Sequence, residues 1–435
     1  MKYSDYNILF DTDDKNIKYL VNTFTGETFK IGNEIALSIQ NKDIDSLPKE
    51  VFDEYVKKGI IIKDSFNEIE TLKYLQNHSK FNSNVLSLTI FMTMDCNFRC
   101  IYCFEGLEKE KIYINDTIRT RIFKFIENIL NENKNINVVS ITLFGGEPLM
   151  KFEDNYTFFR KIKNLCIEKE KTFITSIVTN GSLITNSRLE FLKEINCQTI
   201  QITLDGEKDS HNKRRIDCTQ NGTFEKVIEG IKKVLEYDGL NNPVIRINID
   251  KENVSSIKNL IKYLHEQNLN KCTIDFGIIR DLNSTMTYNE KRFTDNEIGD
   301  VLFGLWNELN KYGFNYSKNP IKRSLYCGSY SNTTYSIYPN GDLYKCWEMA
   351  GKEEFKIGQL NDNGVLENVQ QHFFEWMNRG INSIQDCEKC KYLPLCGCGC
   401  ASVSYQNSNN IFTKGCFKTK SIIKAQLLNN LRING

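Results

Sequence analysis

Residues 85–105 read VLSLTIFMTMDCNFRCIYCFE. The first half is a strand-like apolar run. The second half is a loop that carries Cys96-x3-Cys100-x2-Cys103. Working outward, five more strand-like runs follow at 138–144, 173–179, 197–204, 243–249 and 272–279. Amphipathic helical stretches separate them, among them 117–130, 187–195, 224–235 and 255–265. Six strand–helix repeats predict a parallel sheet with right-handed crossovers, an α/β fold of the partial (β/α)6, TIM-like kind. In such folds chemistry sits at the carboxyl ends of the strands. The cysteine loop follows the first strand, Gly145-Gly146-Glu147-Pro148 the second, Thr179-Asn180-Gly181 the third and Asp205-Gly206 the fourth. One active-site mouth is therefore expected.

The flanks differ from this centre. Residues 17–32, IKYLVNTFTGETFKIG, read as two strands around a turn at Thr25-Gly26. Helices near 34–40 and 48–58 and a short strand at 60–63 complete a small α+β unit, and the polar NHSKFNSN (77–84) reads as a linker. After about residue 312 the alternation stops. The stretch 320–417 is loop-rich and cysteine-bearing, which calls for metal staples. An amphipathic helix over about 419–431 closes the chain. Three domains follow: 1–84, 85–312 and 313–435.

The chain has 435 residues, with Lys+Arg 56 against Asp+Glu 55 and a formal net charge of +1. That balance removes the electrostatic case for binding nucleic acid or a membrane surface. No run of eighteen apolar residues and no secretory signal is present in the opening MKYSDYNILFDTDD, so a cytoplasmic location is expected. Fifteen cysteines in such a chain point to metal or cluster ligands rather than a disulfide framework. Three lie in the first loop. Seven more have a regular arrangement: Cys327 and Cys346, then Cys387-x2-Cys390-x5-Cys396-x3-Cys400, then Cys416. Cys166 and Cys197 read as small buried hydrophobes. Cys218 and Cys272 fall outside both sets, and Cys398 is ambiguous within CGCGC.

Three thiolates on one loop leave a cubane 4Fe–4S cluster with one open iron, since four cysteines are its usual complement. The alternative is a zinc site one ligand short. The spacing resembles the radical S-adenosylmethionine (radical SAM) signature, with the aromatic Tyr102 before the last cysteine, and the resemblance runs through Gly145-Gly146-Glu147-Pro148. It implies that Cys96, Cys100 and Cys103 hold the cluster and that its open iron chelates S-adenosylmethionine. Reductive cleavage then gives a 5′-deoxyadenosyl radical that takes a substrate hydrogen. It also implies that Gly145 and Gly146 let the backbone approach the methionine part and that Glu147 meets its amino group. Tyr102 would pack on the adenine. Asn180, Thr203 and Asp205 would contact ribose or carboxylate, and Arg215 would pair with the carboxylate. For Asn180 and Asp205 an ordinary turn is the competing reading.

The seven later cysteines resemble the SPASM domain of peptide-modifying radical SAM enzymes. That implies two auxiliary 4Fe–4S clusters, a distal one on Cys387, Cys390, Cys396 and Cys416 and a proximal one on Cys327, Cys346 and Cys400. The proximal cluster is one thiolate short. It has either an open iron able to take a substrate thiolate or a fourth ligand not identified, and residues 319–326, NPIKRSLY, contain no cysteine. A zinc ribbon over Cys387–Cys400 leaves the other three unexplained.

Residues 1–84 resemble the winged-helix-like leader-recognition element of peptide maturases, which captures a leader peptide by strand addition; a structural cap is the alternative. Sulfatase maturases carry an Asp after the cysteine matching Cys346. Here Trp347 and Glu348 follow, which counts against that activity. The resemblance thus implies a maturase that forms a thioether cross-link in a ribosomally made precursor peptide. An external donor such as flavodoxin or ferredoxin would supply electrons. Carbon–carbon or ether cross-linking is the next reading, sulfatase-maturase-like oxidation another, and a non-catalytic redox scaffold the last.

Overall fold

The computed structural model describes residues 1–106, 108–280, 291–317, 327–416 and 420–434. The span 319–326, searched in sequence for an eighth ligand, lies outside the described residues, as does residue 419 of the predicted last helix.

The six expected strands form, as Val85–Thr93, Val138–Gly145, Thr172–Thr179, Cys197–Thr203, Val244–Ile249 and Thr273–Ile278. They pair in chain order, all parallel, as an open arc. Helices Asp116–Glu132, Tyr156–Glu168, Asn186–Glu194, Phe224–Glu236, Val254–Glu266 and Asp295–Lys311 follow the strands. Side chains of Asn115, Thr185 and Thr294 cap their N-termini by accepting from backbone N–H groups. The strands alternate. In Val244–Ile249 the isoleucines 245, 247 and 249 are fully buried, whereas Arg246 and Asn248 are half-buried and line a cavity on the other face. The period of two sends apolar side chains under the helices and polar ones into the lumen.

Both ends of the arc are extended. Asn315–Tyr316 adds in parallel to the sixth strand, and Thr334–Ile337 adds in parallel to the first. Asp342–Tyr344, Gly358–Leu360 and Leu366–Glu367 then continue antiparallel, giving one sheet of eleven strands. The chain beyond residue 313 therefore begins as sheet, covering an edge that otherwise presents unpaired N–H and C=O groups.

The N-terminal unit has a third strand that the sequence reading missed. Asn7–Asp11, Ile17–Asn22 and Thr28–Gly32 form an antiparallel sheet. Helices Asn33–Asn41 and Lys49–Lys57 follow, and Ile61–Ile62 pairs with Lys2–Tyr3. Among the described residues, no strand pairs with the outer edge of Thr28–Gly32. The linker expected at 77–84 is a correction. Helix Glu68–Phe81 runs through most of it. Two of its polar residues face the cysteine-rich region rather than water: Gln76 Oε1 accepts Ile381 N–H at 2.8 Å, and Lys80 Nζ donates to the carbonyls of Met377 and Arg379.

Candidate active site

The cluster loop is fixed from both sides. Phe98–Cys100 pairs antiparallel with Arg215–Asp217, which brings Arg215 opposite Cys100. On the other side, Gly146 N–H donates to Thr93 O and Glu147 N–H to Asp95 O, each at 2.9 Å. Asp95 in turn accepts from Cys96 N–H at 2.8 Å and from the Tyr113 hydroxyl at 2.6 Å.

This contact gives the two glycines a reason other than the expected one. A Cβ on Gly145, whose φ is +111°, would stand 2.2 Å from Thr93 O, and one on Gly146 would stand 2.2 Å from Asp95 O. Both glycines also border the cavity, but their lack of a side chain is demanded by the cluster loop behind them. Gly146→Ala should cost about 3 kcal/mol or more through this backbone overlap. It should also loosen Cys96, read as a lower urea midpoint together with lost iron.

Cys96, Cys100 and Cys103 all line one cavity of about 300 Å³, together with Thr179, Asn180, Thr203 and Arg215. Burial pushes the Cys96 thiol up to about 12 and Cys100 to about 11. A thiolate held there needs positive charge, as iron provides. Lys109 Nζ lies 3.0 Å from Cys103 Sγ. Burial also lifts the neighbouring Glu105 carboxyl to about 7.

Tyr102 is held in a polar knot. Its hydroxyl donates to Asp205 Oδ2 and accepts from Arg215 Nη1 at 2.6 Å and from Asn248 Nδ2 at 3.2 Å. The Arg214 guanidinium covers its ring, with Cζ 5.2 Å from the centroid, and is itself paired with Asp250 at 2.9 Å. Burial opposes the charge on Arg215, but Cys100, Tyr102 and Asp205 hold its pKa well above the usual range. Its Nε is buried and has no hydrogen-bond partner among the described residues. An unsatisfied cationic N–H on the residue paired opposite Cys100 fits an anionic ligand group bound with an iron–sulfur cluster. The residues thus suit a cluster on Cys96, Cys100 and Cys103, with the carboxylate of S-adenosylmethionine against Arg215.

Two expected contacts stand behind the wall instead. Glu147 is fully buried, and its oxygens accept from Leu149 N–H, the Thr179 hydroxyl and Asn180 N–H at 3.0, 2.7 and 2.7 Å. Its carboxylate braces the Asn180 turn rather than facing the cavity. Asp205, also fully buried, accepts from Asn248 N–H at 2.8 Å and orients Tyr102. Its own N–H donates to His211 Nδ1, so His211 donates through Nε2 to Thr223. The sequence reading missed Arg246, Asn248 and Arg280, which line the cavity from the ends of the fifth and sixth strands. The alternation in VIRINI was the available signal.

Trp347 and Glu348, directly after Cys346, also line the cavity. Trp347 stacks on Phe144 at 5.6 Å, and Glu348 is ion-paired with Arg280. Cys327, Cys346 and Cys400 interact electrostatically with one another, and Cys416 interacts with Cys387 and with Cys390. Cys398 is placed here: its thiol hydrogen-bonds Cys387, which holds Cys387 below the usual thiol value and Cys398 above it. It stands with the distal set, not with the three-cysteine proximal one. Cys166, Cys197 and Cys272 are buried in the barrel core, as expected of the first two. Among the described residues no three Cys, His, Asp or Glu side chains converge on one metal-ion position. A multi-iron cluster, in which each thiolate takes a different iron, asks for wider spacing.

Residues 90–273, which carry the cysteine loop and most of the arc, match the Radical SAM superfamily model. The chain is 25% identical over 401 residues to the radical SAM cyclopropyl synthase TigE of Paramaledivibacter caminithermalis, covering 86% of this chain and 80% of that protein. It is also 25% identical over 342 residues to a cysteine-type anaerobic sulfatase-maturating enzyme of Clostridium novyi, covering 70% and 85%. Among solved structures, native anSMEcpe with bound AdoMet shares the fold at a TM-score of 0.61 and 20% identity, over 80% of this chain and 98% of that one. Streptococcus suis SuiB bound to its precursor peptide SuiA shares it at 0.55 and 18%, over 95% and 98%. No helix among the described residues is long and apolar enough to cross a membrane.

Proposed function

We propose that this protein is a radical S-adenosylmethionine enzyme that cross-links a ribosomally made precursor peptide, most simply by joining a cysteine sulfur to a carbon as a thioether. One observation carries the reading. A single cavity is lined both by Cys96, Cys100 and Cys103 and by Trp347 and Glu348 beside Cys346, so one bound substrate can meet a radical source and a second cysteine set. When bound, S-adenosylmethionine and its cluster supply a carbon-centred radical that removes a substrate hydrogen. The chain's own residues hold and shield. Arg215 offers its Nε to an anion, Tyr102 and Asp205 fix that arginine, and Trp347 on Phe144 walls off the lumen. Thioether formation from a thiol and a C–H removes two hydrogens, hence two electrons and two protons. One electron offsets that spent on starting cleavage, and an external donor such as flavodoxin or ferredoxin primes the cycle.

The N-terminal unit supports a peptide substrate through its unpaired strand edge, Thr28–Gly32. SuiB, bound to a precursor peptide, shares the fold over nearly the whole chain. Auxiliary clusters are assigned to Cys387, Cys390, Cys396 and Cys416 and to Cys327, Cys346 and Cys400. The similarity to a cyclopropyl synthase favours carbon–carbon bond formation as the second reading. One experiment separates them. A cysteine-containing candidate precursor peptide, sought among the neighbouring genes, is co-expressed with the enzyme, and its mass and iodoacetamide uptake are measured. Both cross-links lose two hydrogens. A thioether also removes one alkylatable thiol, whereas a carbon–carbon bond leaves all thiols free. An unchanged peptide mass sinks both.

A further inference from the structure

The buried cations of this molecule fall into two groups. Arg214, Arg215 and Arg280 each have a carboxylate, in Asp250, Asp205 and Glu348. Lys80, Lys345 and Arg379 are at most 2% exposed, and among the described residues none has a carboxylate partner. Their hydrogen bonds all go to neutral groups. Arg379 donates to the carbonyls of Ile411 (2.6 Å), Gly399 (3.4 Å), Cys398 (3.2 Å) and Thr413 (3.1 Å), the Tyr330 hydroxyl (2.9 Å) and Ser404 Oγ (2.9 Å). Lys80 donates to the carbonyls of Met377 (3.2 Å) and Arg379 (2.5 Å). Lys345 donates to those of Ser331 (2.6 Å) and Thr334 (2.5 Å) and lies 4.7 Å from the centre of the Tyr335 ring.

A buried charge without an opposite charge is costly, and dipoles offset only part of that cost. Two cations sharing one site, as Lys80 and Arg379 do, add mutual repulsion. Such a cluster persists where an anion belongs. The only anionic chemistry these three share is that of the cysteine sets. Arg379 grips residues 398 and 399, between Cys396 and Cys400. It also grips Thr413, just before Cys416, and Tyr330, just after Cys327. Lys345 is adjacent to Cys346. Four thiolates on a cubane carry net negative charge, and reduction adds one more.

We propose that Lys80, Lys345 and Arg379 are the built-in counter-charges of the auxiliary iron–sulfur clusters, holding their more negative, reduced form within reach so that they accept the electron released by substrate oxidation. The proposal rests on the three-cluster reading above. These are positioning residues: they touch neither substrate nor cofactor, and they act through the field at the clusters.

The test is a redox titration followed by electron paramagnetic resonance on the full chain. Cys96, Cys100 and Cys103 are replaced by alanine so that only auxiliary clusters contribute. Into that background go Arg379→Gln, Arg379→Lys and Lys80→Gln. Removing either charge should lower the reduced-to-oxidised ratio about tenfold at a fixed potential, a midpoint about 59 mV lower for one electron. Arg379→Lys, which keeps the charge but not the fork, should return most of that shift. Should Arg379→Gln fail to hold iron, Lys80→Gln decides alone. Full auxiliary iron with unmoved midpoints in Lys80→Gln overturns the proposal and leaves the cluster reading standing. A background protein without auxiliary iron overturns both.

Discussion

Alanine at Cys96, Cys100 and Cys103 together abolishes 5′-deoxyadenosine formation while leaving the auxiliary clusters in place. The expected iron content falls from about 12 to about 8 per chain, at four irons per cluster. The selectivity follows from how the loop is held. Its shape depends on Phe98–Cys100 pairing with Arg215–Asp217, on Asp95 accepting from Cys96 N–H and Tyr113, and on the two N–H groups of Gly146 and Glu147. None of these bonds uses a thiol, and two that do, Phe98 N–H to Cys96 Sγ at 3.4 Å and Lys109 Nζ to Cys103 Sγ at 3.0 Å, are additional to them, so the triple variant keeps its fold, checked by circular dichroism. Anaerobic reconstitution, iron analysis and product chromatography with dithionite as reductant measure the outcome. Deoxyadenosine from the triple variant would remove the radical source from this loop. About 4 iron per chain in the unaltered protein would remove the auxiliary clusters.

Thr28→Pro with Lys30→Pro weakens binding of the precursor's leader peptide about ten- to a hundredfold, with iron content unchanged. The register carries the argument. Asn22 N–H donates to Glu27 O at 2.9 Å, so Asn22 and Glu27 are a hydrogen-bonded pair. Alternation then makes Val21–Thr28 and Tyr19–Lys30 non-bonded pairs, whose N–H and C=O groups turn outward. Proline there deletes two donors from the open edge and none from the sheet. Two lost backbone hydrogen bonds cost about 1–3 kcal/mol, which is that affinity range. Both side chains are exposed, so no core is disturbed. Fluorescence anisotropy with a labelled leader peptide gives the number. Unchanged affinity makes residues 1–84 a cap. The unit is unsuited to outright deletion, because Tyr6 and Phe24 pack with Ile381, Cys387 and Cys398.

Much of the barrel was legible because its signals are local. Each apolar run is a strand of the arc within a residue or two, and helix ends fall near capping residues. The C-terminal strands left only short signals, in TTYSIYPNGDLYKC (333–346), because they are two to four residues long and are built outward from the pairing of Thr334–Ile337 with the distant Val85–Thr93. Polarity misled twice. Lys80 looked like a solvent-facing linker residue, yet it bonds backbone some three hundred positions away. Glu147 and Asp205 looked like ligand contacts, yet their oxygens serve neighbouring loops.

The sequence by itself determined which cysteines work together in the first loop, since three residues at short spacing on one turn share a site wherever that turn goes. It also determined the strand–helix alternation, because hydrophobic period is a property of neighbouring residues. Only the tertiary structure decided that Arg215 stands opposite Cys100, that Cys398 hydrogen-bonds Cys387 and that three cations lie buried with no carboxylate partner among the described residues. Those facts depend on contacts between segments far apart in the chain. Such contacts are set by packing and hydrogen-bond satisfaction in the folded core, and they leave no periodic mark on the residues that make them.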